Sequence, residues 1–326
     1  MSKRPAWDER RLGRYLKLRD LNMLLTVTRC GSMGKAAAQL AVSQPAISKA
    51  IADMEYSLGV RLLDRGPHGV EPTVYGRTLL DHGLNAFDEL KQAVQHIEFL
   101  ADPTAGEVRV GASVIIGSSF VTTVVDRLSR RHPGITVHLL SAEAAMTYRA
   151  LEEREVELLI AGIFEPVAAK HMDAEILYDD PFVVAAGARN PWCRRRQVRL
   201  ADLMNEPWTL PPTGSLTRPI VDKVFHDSGL EVPRATLVAS SIPVRNALVA
   251  SGRFLTLVPA SVLQFAAGNR EMRAVPVKIP THGRPIGILT LKNRTLSAVA
   301  QLFIACAREV AQSAVGRPHG ARRARP

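Results

Sequence analysis

The hydrophobic pattern of this chain changes period once, at Ala101-Asp102-Pro103-Thr104-Ala105-Gly106. Pro and Gly both stop a helix, and the small residues around them suit a hinge over 101–106. Upstream, residues 18–64 carry helical periodicity only, and residues 76–100 read as one long helix. Downstream, short Val/Ile/Leu runs alternate with helical segments: Glu107–Ala112, Ile135–Leu140, Val156–Gly162, Ile176–Ala186 and Ile286–Lys292. A helical module joined to strand–helix alternation predicts an α+β multidomain chain whose later part holds parallel sheets built from βαβ units. With 326 residues there is room for roughly two domains of about 150 residues each.

Charge sharpens the division. The net charge is +11, but residues 1–77 hold 13 Lys/Arg against 7 Asp/Glu and residues 317–326 hold four Arg and no acid, which leaves +1 for residues 78–316. A basic first quarter beside a neutral bulk fits a nucleic-acid-binding module joined to something else; a generally Arg-rich proteome gives the same excess. Hydrophobic residues at 46% and charged residues at 22% exclude wholesale disorder, except for the Arg-rich tail over 316–326, which is expected to be disordered. The start, MSKRPAWDERR, lacks the apolar core of a secretory signal. The longest weakly polar run, Ser113 to Val125, is too short to span a bilayer, so no membrane partner is expected. Three widely spaced cysteines, Cys30, Cys193 and Cys306, exclude a disulfide scaffold and a zinc knuckle, and suit a reducing cytoplasm.

Leu21, Leu24, Leu25 and Thr28 recur at helical spacing and end at Cys30-Gly31. Ser32 is placed to cap a second, Ala-rich helix from Met33 to Leu40, whose small side chains allow close packing. After the turn at Ala41-Val42, Ser43 is placed to cap a third helix, with Pro45 in its first turn where a missing N–H costs nothing. Ile47, Ile51, Met54 and Leu58 form its buried face. That leaves Ser43, Gln44, Pro45, Ala46, Ser48 and Lys49 near its exposed start, the plan of a helix-turn-helix whose second helix enters the major groove. Gln pairs with an adenine edge, Ser with bases or phosphate, and Lys with phosphate or guanine.

Three motifs carry a resemblance. Gly31-Ser32-x-x-x-Ala36-Ala37, Val42-Ser43-Gln44-Pro45-Ala46-Ile47-Ser48 and Glu55-x-x-Leu58-Gly59-Val60-x-Leu62-Leu63-x-Arg65 resemble the signature of LysR-type transcriptional regulators. The resemblance implies a winged helix-turn-helix over 18–77, with the helix starting at Ser43-Gln44-Pro45 as recognition helix and Arg65-Gly66-Pro67-His68-Gly69 as the wing. The expected DNA-binding residues are therefore Ser32, Lys35, Ser43, Gln44, Pro45, Ala46, Ser48, Lys49, Arg65 and His68 on double-stranded operator DNA. Met33 stands where the family usually has an aromatic, and Gly34 where a hydroxyl is common. Residues 1–17 form a longer, basic start than usual, expected to be a solvated extension, with added DNA contacts as the alternative.

Within the long helix, over 78–100, Leu80, Gly83, Phe87, Leu90, Val94 and Ile97 make a strict heptad seam. Taken from Gly76 to Leu100, such a helix is about 37 Å long. The seam must be covered by the chain behind it or by a second copy. The resemblance implies the second: a linker helix that dimerises two DNA modules. It leaves dimer and tetramer open.

The later region, 107–315, resembles the family's effector domain, a two-lobed α/β fold like periplasmic solute-binding proteins. Lobe one is expected at 107–164 plus 284–315 and lobe two at 168–282. Ligands in open α/β sheets lie beyond the carboxyl ends of strands, beside helix N-termini. Ser113-Val114, Ser141, Pro212-Thr213-Gly214-Ser215 with Arg218, and Ser240-Ser241 with Arg245 meet that description. They predict a cleft for a small, anionic effector.

No HExxH, GxSxG, GxxxxGK[ST] or GxGxxG occurs, and the nine histidines never pair at metal-ligand spacing, so neither enzyme activity, metal nor cofactor is expected. The alternative is an effector-domain enzyme or solute-binding protein carrying an accessory DNA-binding module.

Overall fold

The computed structural model describes residues 9–66, 69–163, 171–215, 217–265, 271–280 and 283–315. The basic tail, residues 1–8 of the N-terminal extension and His68 lie outside the described residues. The chain divides into two compact units, Met1–Ala93 and Val94–Pro326.

The first unit opens with α1 (Glu9–Tyr15), α2 (Leu18–Cys30), α3 (Met33–Leu40) and α4 (Gln44–Leu58). Each turn between helices has its local cause. Gly31 and Gly59 end α2 and α4 in the left-handed region, at φ 62° and 69°. Ser32 and Ser43 begin α3 and α4 by accepting the Lys35 and Ala46 amides. A two-stranded hairpin follows, β1 (Leu63–Gly66) and β2 (Gly69–Pro72), antiparallel with Leu63 opposite Pro72. The core gathers Leu24, Val27, Ala36, Ile47, Ile51 and Met54, each fully enclosed, with Leu62 of the hairpin entrance.

The long helix α5 (Val74–Ala101) begins in this unit, and its seam does not behave as one surface. Leu80 and Gly83 are buried and Phe87 is half-buried against the helix-turn-helix core, where a side chain at Gly83 would press on Leu21. Leu90, Val94 and Ile97 are exposed, at 47%, 53% and 66%. Of the six positions expected to face a second copy, only the last three are left exposed. The first three are used inside the subunit, because α5 starts as the wall that closes the DNA-binding core.

The second unit holds two five-stranded sheets. β3 (Ala105–Ser113), α6 (Val114–Ile116), a π-turn (Gly117–Val121), α7 (Thr122–Arg131), β4 (Gly134–Ala142), α8 (Ala144–Glu152), β5 (Leu158–Gly162) and β6 (Met172–Asp180) come first. β7 (Phe182–Gly187), β8 (Trp208–Leu210), α9 (Arg218–Asp227), β9 (Ala235–Val238), α10 (Ile242–Ala250), β10 (Leu255–Pro259), α11 (Ser261–Gln264) and β11 (Met272–Ala274) follow. The chain then returns through β12 (Arg284–Leu291) and ends in α12 (Ala298–Val315). The first sheet runs β4-β3-β5-β12-β6 and the second β11-β7-β10-β8-β9.

Both sheets are mixed rather than parallel. β3 is parallel to β4 and β5, while β12 is antiparallel to β5 and β6, and β7 is antiparallel to β10 and β11. The run Ile176–Ala186, expected as one strand, is two strands in different sheets. Pro181 has no N–H for the ladder, and the chain crosses there from one lobe to the other. Because β6 pairs with β12, the crossing falls at Pro181 and not at 164–168, and the first lobe gains Met172–Asp180. Each lobe has its own core: Phe120, Tyr178 and Phe265 cluster in the first with ring centroids 5.1–5.6 Å apart. Trp208 and Phe225 pack edge-on at 5.3 Å in the second.

Candidate functional site

In the first unit, α4 presents an exposed start. Gln44, Pro45, Ala46 and Lys49 are exposed, as are Ser43, Lys35 and Arg65. Ser48 is half-buried, and its hydroxyl donates to Met33 Sδ at 3.2 Å, so it braces α4 on α3. Ser32 is likewise committed as a cap of α3. A Cβ on Gly34 would stand 3.7 Å from Gln44 Oε1, so the glycine leaves open space beside that amide.

The hairpin is pinned to the helices from two sides. Glu55 of α4 accepts the amides of Leu62 at 2.7 Å and Leu63 at 3.2 Å. Val70 N donates to Gly31 O at 3.0 Å. Gly69 allows this approach: it sits at φ +122°, and a Cβ there would meet Gly31 O at 2.6 Å. Arg65 is thus carried on a strand whose root is bonded to α4. An exposed polar helix start and a hairpin strand carrying exposed Arg65 make a surface able to engage a groove and the adjoining phosphates.

In the second unit a cavity of about 510 Å³ lies among strand ends of both sheets. Four helices begin on it: α6 after Ser113, α8 after Glu143, α9 after Thr217 and α10 after Ser241. Each N-terminus offers N–H groups without intrahelical partners and a partial positive charge. Ser113 makes no cap bond, and Ser241 Oγ accepts Val244 N at 3.4 Å, which leaves its hydroxyl hydrogen for a ligand.

Of the residues expected there, Ser113, Val114, Pro212, Gly214, Ser215, Ser240, Ser241 and Arg245 line the cavity. Ser141, Thr213 and Arg218 are not in its lining. Ser141 is exposed at the end of β4, beside the π-turn at Gly117, and Thr213 is exposed in its turn. Arg218 is spent on nearby partners, with Nε 2.6 Å from Asp222 Oδ1 and Nη1 3.0 Å from Pro211 O.

Arg245 is only 6% exposed, and its Nε has no hydrogen-bond partner among the described residues. Burial alone lowers its pKa, with no carboxylate acting in the other direction. Arg284 also lines the cavity; burial lowers its pKa, but Asp180 opposes this. Asp180 is 3% exposed and accepts from Ser261 N at 2.9 Å and Ser261 Oγ at 2.6 Å. Burial raises its pKa against those bonds and the charge of Arg284. Tyr148 Oη donates to Gly162 O at 3.3 Å, and burial raises that phenol too. Arg284, Asp180 and Tyr148 were absent from the expected set. They converge only through the β6–β12 register and the placement of α8, which no short sequence spacing encodes.

Comparison with known proteins bears on both units. Residues 18–77 match the profile described as bacterial regulatory helix-turn-helix protein, lysR family, and residues 101–312 match the LysR substrate binding domain. The regulator GbpR of Azospirillum brasilense is 28% identical over 303 residues, covering 93% of this chain and 89% of that protein. The transcriptional dual regulator GltC of Bacillus subtilis is 26% identical over 260 residues, covering 79% and 85%. Among solved structures, a full-length OxyR variant from Pseudomonas aeruginosa superposes with a TM-score of 0.64 at 21% identity, covering 93% of this chain and 98% of that one. Full-length CbnR complexed with its target DNA has a TM-score of 0.52 at 22% identity, covering 90% and 99%. The two solved structures share the fold, and GbpR and GltC are transcriptional regulators. The chain belongs to the LysR family of bacterial transcription regulators, with a helix-turn-helix DNA-binding domain followed by an effector-binding domain.

Proposed function

We propose that this regulator reads operator DNA as a dimer through the start of α4 and senses a small anionic metabolite in the cavity of its second unit. The observation that carries the sensing half is Arg245: a buried guanidinium at a helix start, lining the cavity, with no carboxylate acting on it among the described residues. An uncompensated buried cation is costly unless a ligand supplies the counter-charge. The reading half rests on exposed Gln44 and Lys49, with Arg65 on the wing for backbone contact. The dimer rests on exposed Leu90, Val94 and Ile97, which continue one apolar stripe at heptad spacing. Effector binding closes one lobe on the other and biases how the DNA-binding units are presented, a coupling free energy between two sites.

The test is a thermal-shift screen of the full-length protein against matched anionic, neutral and cationic metabolites at constant ionic strength. Stabilisation by anions that is lost in Arg245→Gln is expected, each charge-assisted bond contributing about 1.5–3 kcal/mol. A best ligand that is cationic contradicts the anion-sensing reading.

A further inference from the structure

The charges around the cavity do not cancel evenly. The ionisable lining residues among those described are Arg245 and Arg284 against Asp180 and Glu143, with Tyr148. Arg284 is paired in the ladder with Asp180, and Glu143 stands exposed at the start of α8. Among the described residues no acid acts on Arg245. There is therefore one full counter-charge to satisfy. A second carboxylate on the ligand would meet Asp180 or Glu143 and an arginine already offset, and like charges in a confined space repel strongly.

The two polar ends differ in kind. Around Arg245 lie Ser240, Ser241 and the N-terminus of α10, which offer hydroxyl and amide donors, and Arg245 also borders a small second cavity lined by Phe182, Val221, Leu257 and Val262. Around Arg284 lie Asp180, Tyr148 and Thr147, donors and acceptors together. Ile115, Ile116, Pro211, Pro259 and Ile286 add apolar lining, and Tyr148 is the one aromatic side chain among the described lining residues. That wall suits a saturated body better than a flat ring seeking stacking partners.

Building on the anionic-effector reading, we infer that the ligand is a monocarboxylic acid with a compact saturated body and a hydroxyl opposite the carboxylate. The carboxylate pairs with Arg245 and the α10 N-terminus, and the hydroxyl both donates and accepts at the Asp180–Arg284–Tyr148 end.

Calorimetric titration of the full-length protein at fixed pH and ionic strength tests this with four probes. These are trans-4-hydroxycyclohexanecarboxylate, its primary amide, cyclohexanecarboxylate and trans-1,4-cyclohexanedicarboxylate. The hydroxy acid is expected to bind most tightly, with the amide weaker by roughly tenfold or more because it lacks the charge-assisted bond. Arg245→Gln should erase the preference for acid over amide, and Arg245→Lys should keep it, which separates loss of charge from loss of fold. Asp180→Asn should raise the affinity of the diacid relative to the hydroxy acid. A diacid that outbinds the hydroxy acid on wild type, with that binding lost in Arg245→Gln, overturns the monoacid and leaves the anionic-effector reading standing. An acid-over-amide preference that survives in Arg245→Gln overturns both. Failure of all four probes to bind at millimolar concentration overturns the proposed ligand class alone.

Discussion

Asp180 stands directly opposite Arg284 across the antiparallel β6–β12 ladder, and both side chains line the cavity. Asp180 also holds the start of α11 through Ser261, one residue before the chain crosses at Pro181. It therefore joins the cavity, the first sheet and the crossing between lobes.

Burial keeps the Asp180 carboxyl above the usual carboxylate range. A raised folded-state pKa means the folded protein holds this proton more tightly than the unfolded chain. Its stabilising contribution is full below the unfolded value of about 4 and is lost as pH rises through the folded value. Glu175, held low by Arg308, acts in the opposite sense, but it is common to wild type and variant and cancels in their difference. The stability of Asp180→Asn relative to wild type should rise as pH increases from about 4 to 7. Urea denaturation across that range measures it; a difference that stays flat or falls contradicts the assignment.

One of the two anchors of the hairpin is a single carboxylate, Glu55. Glu55→Ala leaves the Leu62 and Leu63 amides without their acceptor, and Leu62 is 1% exposed. The expected loss is about 1–3 kcal/mol in unfolding of the first unit. Glu55→Gln keeps a carbonyl oxygen and should lose less. Equal stability of wild type and Glu55→Ala would show that the hairpin is held by other contacts.

The divided seam separates two outcomes that the heptad alone would merge. Leu90→Asp or Ile97→Asp should give monomers by light scattering with an unchanged thermal transition for the first unit, since both positions are exposed. Phe87→Asp should lower that transition, by several kcal/mol if the charge stays dry, because Phe87 packs on the helix-turn-helix core. A dimer that survives Leu90→Asp and Ile97→Asp places the dimer interface elsewhere.

What the sequence revealed, and what it hid, follows from range. Ser32, Ser43, Pro45 and Gly59 act within a few residues of themselves, so α3 and α4 are legible from local chemistry. Cavity serines at helix starts, such as Ser113 and Ser241, are legible for the same reason. Asp180 and Arg284 lie far apart in sequence, and only ladder register brings them together. Arg218 misled because its helix start resembles that of Arg245, while a local acid, Asp222, absorbs its charge. Asp179-Asp180-Pro181 marks a turn locally, but which sheet each side of it joins is set by register, and mixed sheet order cannot be read from alternation of strands and helices.

The central claim is that the start of α4 reads DNA sequence, and Gln44 tests it most directly. A duplex enriched by selection from random sequence with the full-length protein, and a scrambled duplex of the same composition, are titrated by fluorescence anisotropy at one salt concentration. Gln44→Ala should weaken binding to the selected duplex by about 1–3 kcal/mol and leave the scrambled duplex nearly unchanged, because a base contact carries sequence information. Lys49→Ala, if its contact is phosphate, should weaken both. Equal affinity of wild type and Gln44→Ala for the selected duplex would contradict the account.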